Sequence, residues 1–174
     1  MYTTHSHQKR FQKTMDFMNR HIDSGSTILD LGIPNPMSRM MKAQGYQVEN
    51  TNGEDLDEDQ SRLQKSEAQV VTAFEILEHL LSPYQVLKSI KAKKMVASIP
   101  LKLWFSKTYR SNTDPRDRHF HEFEDWQFDW LLEKTGWKII ASEKWINPPQ
   151  SIGFRALLRY FYPRHYIVYA EKTK

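Results

Sequence analysis

Short apolar runs alternate with helix-like segments along this chain, and this alternation restricts its possible folds more than any other feature. The runs that read as strands are residues 27–31, 46–50, 69–74, 94–99, 137–145 and 165–171. The segments that read as helices are 8–22, 37–43, 82–90, 123–135 and 152–162, with a helical turn at 75–81. Strands joined by helices are usually parallel and are covered on both faces. The sequence therefore predicts an α/β fold with a mostly parallel sheet and helices on both faces.

Composition narrows the function classes only slightly. The chain of 174 residues has the length of one domain, and its 39% of hydrophobic residues can fill a core. It contains no cysteine, which excludes disulfides and thiolate metal sites. We expect no signal peptide, no transmembrane segment and a cytoplasmic location. A net charge of +4 permits a nucleic-acid partner but does not favour one.

The first strand runs into a loop that contains one glycine and two prolines. Gly32 follows the strand, and the chain continues as Ile33-Pro34-Asn35-Pro36. Asn35 is a good N-cap and Pro36 suits the first helical position, so a helix should begin there. Asp30, at the end of the strand, can bind the amine of a ligand or order the loop.

Carboxylates and imidazoles cluster after the run at residues 69–74. Glu75, Glu78 and His79 have the spacing of one helical face. His119 and His121 lie two residues apart, so in an extended segment they point the same way. Such a set can bind Mg²⁺, Mn²⁺ or Zn²⁺. Alternatively, the histidines pack or bind backbone, or His79 or His121 acts as a general base without metal.

Four stretches in this order, "ILDLG", "VVTAFEILEHLLSPYQVLKSI", "MVASIP" and "HFHEFEDWQFDWLLEKTGWKII", resemble the class I S-adenosylmethionine-dependent methyltransferases. The resemblance covers roughly residues 25–145 and is strongest to O-methyltransferases of small molecules and lipid precursors. It implies a Rossmann-like, seven-stranded sheet with an antiparallel last strand. The cofactor would lie at the carboxyl ends of the strands. Residues 51–67 are too few for the family's second helix and third strand, so we expect that region to be shortened.

The resemblance also implies a set of residues for S-adenosylmethionine. They are Asp30, Gly32, Asn35, Asn52, Phe74 and Glu75. Two positions depart from the family pattern. Pro34 replaces the second glycine of the loop and has no N–H to donate. Asn52 replaces the acid that accepts both ribose hydroxyls, although Glu49 or Glu54 lies close enough in sequence to substitute.

A narrower similarity links the chain to small-RNA 3′-terminal 2′-O-methyltransferases, which have "ExxEH" and "HxHxFE" at these places. It implies a Mg²⁺ or Mn²⁺ site whose ligands are Glu75, Glu78, His79 and His121. His79 and His121 would be the catalytic residues. The stretch 101–122 would cover the methyl acceptor, with Trp104, Tyr109 and His119 as its contacts.

We therefore expect a single methyltransferase-like domain over residues 1–174, with an N-terminal helix in 1–24 and acceptor-side insertions at 101–122 and 146–162. The expected activity is methyl transfer to an oxygen of a small or lipid-linked molecule. One alternative is an inactive methyltransferase fold that binds or regulates. The other is a metal-dependent RNA 2′-O-methyltransferase.

Two further patterns are ambiguous. Trp126 and Trp130, four residues apart, are expected to pack their helix on the sheet. The segment "FRALLRYFYPRHY" carries Arg155, Arg159, Arg164 and His165 among aromatic residues. It could contact phosphate, a membrane surface or nucleic acid, or be an ordinary amphipathic helix.

Overall fold

The computed structural model describes residues 5–107, 109–146 and 154–173. Its strands are β1 (Thr27–Asp30), β2 (Gln47–Asn50), β3 (Val70–Phe74), β4 (Lys94–Pro100), β5 (Trp137–Trp145) and β6 (His165–Lys172). Its helices are α1 (His5–His21), α2 (Pro36–Ala43), α3 (Ser61–Lys65), α4 (Pro83–Ser89), α5 (Asp125–Lys134) and α6 (Phe154–Leu158). Single 3₁₀ turns occur at Leu77–His79 and Pro115–Asp117. Each apolar run that predicted a strand forms one.

All six strands belong to one sheet with the order β2-β1-β3-β4-β6-β5. Strands β2, β1, β3 and β4 are parallel, and β6 runs antiparallel to both β4 and β5. The prediction of a mostly parallel sheet with an antiparallel last strand is confirmed. The antiparallel strand lies inside the sheet, between β4 and β5, so it is not an edge strand.

The region between β2 and β3 is shortened, as expected. In the described part of the chain it contains only the five-residue helix α3 and no strand, which leaves β2 at the edge of the sheet. A helix of this length cannot cover the neighbouring face of β1 and β2. An open cavity of about 570 Å³ therefore lies between that face and α3, with Arg62 and Lys65 on its helical side.

Two hydrophobic cores cover the two faces of the sheet. The first contains α4, α5 and one face of β1, β3, β4 and β6. In the second, α1 and α2 pack on the opposite face. The α1 side chains of that core are Phe11, Met15, Phe17, Met18 and Ile22. Within the described residues, no helix has the length and apolar character needed to cross a membrane.

The ends and faces of two helices test local predictions. Asn35 caps α2: its side chain accepts from Ser38 N at 3.0 Å, as the Asn-Pro pair predicted. In α5 the prediction for the tryptophans is wrong. Phe128 is fully buried, whereas Trp126 and Trp130 are 45% and 64% exposed. The tryptophans contact each other edge to face and leave the apolar side of the helix to Phe128.

Candidate functional site

The backbone turns sharply at Glu75, directly after β3. Glu75 has a φ of 54°, in the left-handed region that non-glycine residues rarely adopt. Its N–H still donates to Ser98 O of β4 at 2.9 Å, so the residue extends the sheet before the chain leaves it. The 3₁₀ turn begins only at Leu77. The prediction that Glu75 shares a helical face with Glu78 and His79 is therefore wrong.

The Glu75 carboxylate lies among polar groups that come from both ends of the chain. Arg10 of α1 donates to Oε2 at 3.0 Å, and Ser98 Oγ donates to Oε1 at 3.3 Å. His165 Nδ1 of β6 lies 3.6 Å from Oε1. Burial alone would raise the pKa of Glu75, but His165, Arg10 and Arg164 outweigh it and lower the pKa to about 2. Glu75 is therefore an ionised carboxylate at all physiological pH values.

A second, separate cluster contains Glu78, His79 and His119. Each offers a ligand atom, and these atoms lie within 4.8 Å of one another. His79 Nδ1 is 3.1 Å from Arg118 O, and its Nε2 is 3.8 Å from Glu78 Oε1. If Nδ1 carries the proton for that carbonyl, the Nε2 lone pair faces the Glu78 carboxyl. The His119 ring stands edge-on to His79 with ring centroids 4.7 Å apart.

The cluster contains a carboxyl oxygen that lacks a partner. Glu78 is 1% exposed, and among the described residues its Oε2 makes no hydrogen bond. Burial, and then the charge of Glu75, raise the pKa of Glu78 well above its ordinary value. Burial also lowers the pKa of His119, so this imidazole is neutral near pH 7. Buried polar atoms in native proteins are almost always bonded, so an unpartnered one indicates a place for a ligand or cation.

The remaining residues predicted for metal, catalysis or substrate lie around this cluster. His121 Nε2 is 3.2 Å from Leu81 O, and its ring stacks on Phe123. Tyr109 contacts the His119 ring at 4.8 Å between centroids. Trp104 is 68% exposed, and its ring contacts Phe105 and Tyr162. The structure thus brings together Glu78, His79 and His119. Glu75 and His121 have other partners. For all five residues, a role as metal ligand stays a prediction.

The loop after β1 uses its own hydrogen-bond donors internally. Gly32 N donates to Thr51 Oγ1 at 2.7 Å, and Asn35 N donates to Ser38 Oγ at 2.9 Å. The Asn35 side-chain amide donates to Ile33 O at 3.1 Å. Pro34, like Pro36, has no N–H to offer. These contacts occupy the Gly32 and Asn35 donors that the resemblance directs to a cofactor.

Asp30 orders this loop from beneath. It is 2% exposed, and its two oxygens accept from Thr72 Oγ1 at 2.7 Å and from Asn50 Nδ2 at 2.9 Å. Asn50 also donates to Gly32 O at 3.1 Å, which ties the carboxyl to the loop. Burial raises the pKa of Asp30 to about 6, and the two hydrogen bonds oppose this rise only in part.

This raised pKa predicts a pH dependence of stability. Between about pH 4 and pH 6 the native Asp30 keeps a proton that the unfolded chain has lost, so the free energy of unfolding falls as pH rises. The fall amounts to about 3 kcal/mol for a shift of this size. We expect the Asp30→Asn protein to lack this contribution. Urea unfolding from pH 4 to 7 should show the wild-type protein losing stability relative to the variant. The control is Asp16→Asn, at an exposed position of α1, and its difference in stability from wild type should stay constant over this pH range.

The place predicted for the ribose borders an open cavity of about 520 Å³. It is lined by Ile33, Pro34, Lys42, Val48, Glu49, Asn50, Thr51, Asn52 and Arg62. Asn52 is exposed, and its backbone N–H donates to Glu54 at 2.6 Å. Phe74, at the end of β3, is half-buried beside the second core. The cavity has the size of a small-ligand site and meets the loop after β1.

Sequence patterns did not connect four polar residues near Glu75 with that carboxylate: Arg10, Ser98, Arg164 and His165. Arg10 lies 65 positions from Glu75, and the pair meets only because α1 packs on the sheet. His165 is buried, stacks on Trp145 and has two ring nitrogens without a hydrogen-bond partner among the described residues. Its sequence clues were a position at the start of a predicted strand and its place among basic and aromatic residues.

Comparisons with solved structures agree with the fold. A methyltransferase from Archaeoglobus fulgidus, described as S-adenosylmethionine-dependent, matches 95% of this chain over 94% of its own at 14% identity and a TM-score of 0.65. Phosphoethanolamine N-methyltransferase 2 from Haemonchus contortus, in complex with S-adenosylmethionine, matches 94% of this chain over 53% of its own at 12% identity and a TM-score of 0.64. A [4+2]-cyclase, SpnF, matches 99% over 84% at 12% identity and a TM-score of 0.60.

At these identities the likeness shows the fold alone. No family model matches the sequence, and no curated protein matches it significantly. The chain therefore has the Rossmann-like fold of S-adenosylmethionine-dependent methyltransferases, with the candidate site at the carboxyl ends of its parallel strands.

Proposed function

We propose that the chain transfers a methyl group from S-adenosylmethionine to an oxygen of a small or lipid-linked acceptor. The observation that carries this proposal is the cluster of Glu78, His79 and His119, in which a buried carboxyl oxygen has no hydrogen-bond partner among the residues that the structure describes. The cluster lies just after β3, at the carboxyl ends of the parallel strands, where ligands of such folds bind. The methyltransferase neighbours in fold support the general activity.

The chain's residues would position the acceptor and take up its proton. Methyl transfer needs the acceptor oxygen held in line at roughly 3–3.5 Å from the methyl carbon, and little further chemistry. Without a bound cation, a neutral His119 can accept the hydroxyl proton at a ring nitrogen. Tyr109, whose ring contacts His119, would limit the acceptor's position on the open side.

The same cluster fits a divalent cation. Its carboxylate and imidazole ligands suit Mn²⁺, and Mg²⁺ with additional waters. A bound cation would lower the pKa of the acceptor hydroxyl. Glu78, which is otherwise favoured in its neutral form, would be held ionised by the positive charge.

The cofactor fits the chain only in part, and we expect weak binding. The cavity beside Asn52 has a suitable size, but the loop donors at Gly32 and Asn35 are already bonded. Each lost hydrogen bond to a charged group weakens binding roughly tenfold to hundredfold. Titration calorimetry with S-adenosylhomocysteine should give a measurable but weak affinity.

Restoring an acid at position 52 tests whether the chain has a cofactor site that binds weakly. Asn52→Asp should tighten S-adenosylhomocysteine binding about tenfold, because a carboxylate accepts from both ribose hydroxyls. Asn52→Ala should weaken it. If the wild-type protein shows no binding at about millimolar ligand, the proposed methyl transfer is wrong.

A second candidate is a methyltransferase fold that binds or regulates without turnover. The internally bonded loop favours it, because these contacts must break or be bypassed before the loop can grip a cofactor. The absence of calorimetric binding would therefore leave this candidate in place.

A further inference from the structure

A group of large apolar side chains projects into solvent beside the candidate site. We call it the aromatic patch, and its members are Trp104, Phe154, Leu157, Tyr160, Phe161 and Tyr162. Phe161, Phe154 and Trp104 are the most exposed, at 73%, 72% and 68%. Monomeric proteins seldom leave contiguous apolar surface uncovered unless something binds there.

Two segments of the chain meet in the patch. The ring of Tyr162 contacts Trp104 and Phe105, with centroids 6.3 Å and 5.6 Å apart. Leu101 N donates to Arg164 O at 2.8 Å, and the Arg164 guanidinium donates to Leu101 O at 2.6 Å. These bonds hold the segment after β4 against the segment before β6.

Both segments are basic. Residues 101–113 contain Lys102, Lys107 and Arg110, and residues 154–165 contain Arg155, Arg159 and Arg164, with no acidic residue in either. Acids outside the two segments contact the first of them: Glu124 lies 4.0 Å from Lys102 Nζ, and Glu122 Oε1 accepts from Tyr109 N at 3.3 Å. Protruding apolar side chains in segments with an excess of basic residues complement a surface that is apolar inside and anionic outside.

We propose that the aromatic patch docks the protein on an anionic lipid bilayer. Phe154, Leu157 and Phe161 would enter the interfacial region, and the lysines and arginines would contact lipid phosphates. Each basic residue near such a surface adds to the electrostatic attraction. An aliphatic Leu157 and an outward Phe154 suit hydrocarbon better than stacked bases, so single-stranded RNA is the less favoured partner.

Docking in this way would place the candidate site close to the bilayer. Arg164 belongs to one of the two segments, and its charge interacts with those of Glu75 and Glu78. A lipid-linked acceptor could then reach the site without leaving the membrane. The docking itself does not depend on methyl transfer, because it requires no cofactor.

Flotation of the full chain with vesicles tests the proposal. We expect binding to vesicles containing about one third phosphatidylglycerol in phosphatidylcholine, and a strong decrease at high salt. The double variant Trp104→Ser/Phe161→Ser should bind at least about tenfold more weakly, because two large side chains lose their burial. Lys102→Glu/Lys107→Glu should weaken binding through charge alone.

Trp130→Ser is the matched control, since Trp130 is an equally exposed tryptophan whose ring contacts Trp126 in α5. It should bind vesicles like wild type, and circular dichroism should show that all variants are folded. The proposal is wrong if wild type ignores anionic vesicles or if neither double variant weakens binding. Salt-dependent binding of single-stranded RNA in place of vesicles, lost in the same variants, would overturn it in favour of nucleic acid.

Discussion

Binding of Mn²⁺ is expected to weaken by about a hundredfold or more when Glu78 is replaced by glutamine. The substitution removes the only carboxylate of the cluster, and with it most of the negative charge that holds a cation. His119→Ala should also weaken binding strongly, because it removes an imidazole ligand. Electron paramagnetic resonance of free Mn²⁺ during titration measures this affinity without an identified acceptor.

His121→Ala is the matched control, two residues from His119. Its ring nitrogen is already directed at Leu81 O, so Mn²⁺ affinity should change by less than about threefold. The sequence motif assigned the ligand role to His121, whereas the structure brings His119 into the cluster. If His119→Ala and His121→Ala lose Mn²⁺ affinity equally, the ligand role that the motif gives to His121 is favoured. If Glu78→Gln leaves Mn²⁺ affinity unchanged, the cluster is not a metal site.

The largest expected change in stability follows replacement of Glu75 by glutamine. Glu75 is the carboxylate partner of Arg10 and lies beside Arg164 and His165. The Arg10 and Glu75 side chains are only 19% and 15% exposed, and removing one member of such a mostly buried ion pair can cost up to about 3–5 kcal/mol, because the remaining charges lose their compensation. Urea unfolding near pH 7 should show a loss of this size.

The pH dependence of this loss has a defined sign. The pKa of Glu75 is lowered from 4.5 to about 2 in the folded protein, so its contribution is complete above about pH 5. It should disappear as pH falls from about 4.5 towards 2, and the stabilities of variant and wild type should converge there. The exposed pair of Arg20 with Glu143 supplies the control: Glu143→Gln should cost at most about 1 kcal/mol. A loss as small for Glu75→Gln would contradict the buried ion pair.

Sequence patterns predicted the sheet well because its strands are short, apolar and locally encoded. Val70–Phe74 could be recognised without knowing its neighbours. The loss of a strand before it followed from simple chain length, since residues 51–69 cannot supply a helix and a strand of ordinary size. Asn35 and Pro36 fixed the start of α2 by local chemistry alone.

The site was harder to predict because its decisive contacts are local exceptions or long-range pairings. The helical spacing of Glu75 and Glu78 assumed a regular turn, and a left-handed residue breaks that assumption. Arg10 and His165 approach Glu75 from α1 and β6, which no short window of sequence connects. Alternation in an extended segment could not distinguish His119 from His121, since it gives both the same orientation.

The absence of a strand beyond β2 shows which part of this architecture is dispensable. In the doubly wound order, a strand that follows β2 lies outside it, at the margin of the sheet. Deleting a marginal strand breaks one ladder and leaves every other pairing intact, whereas deleting β1 or β3 would divide the sheet in two. A sheet that ends at β2 can therefore keep both of its cores and all of its remaining strand pairings, as the described residues of this chain do.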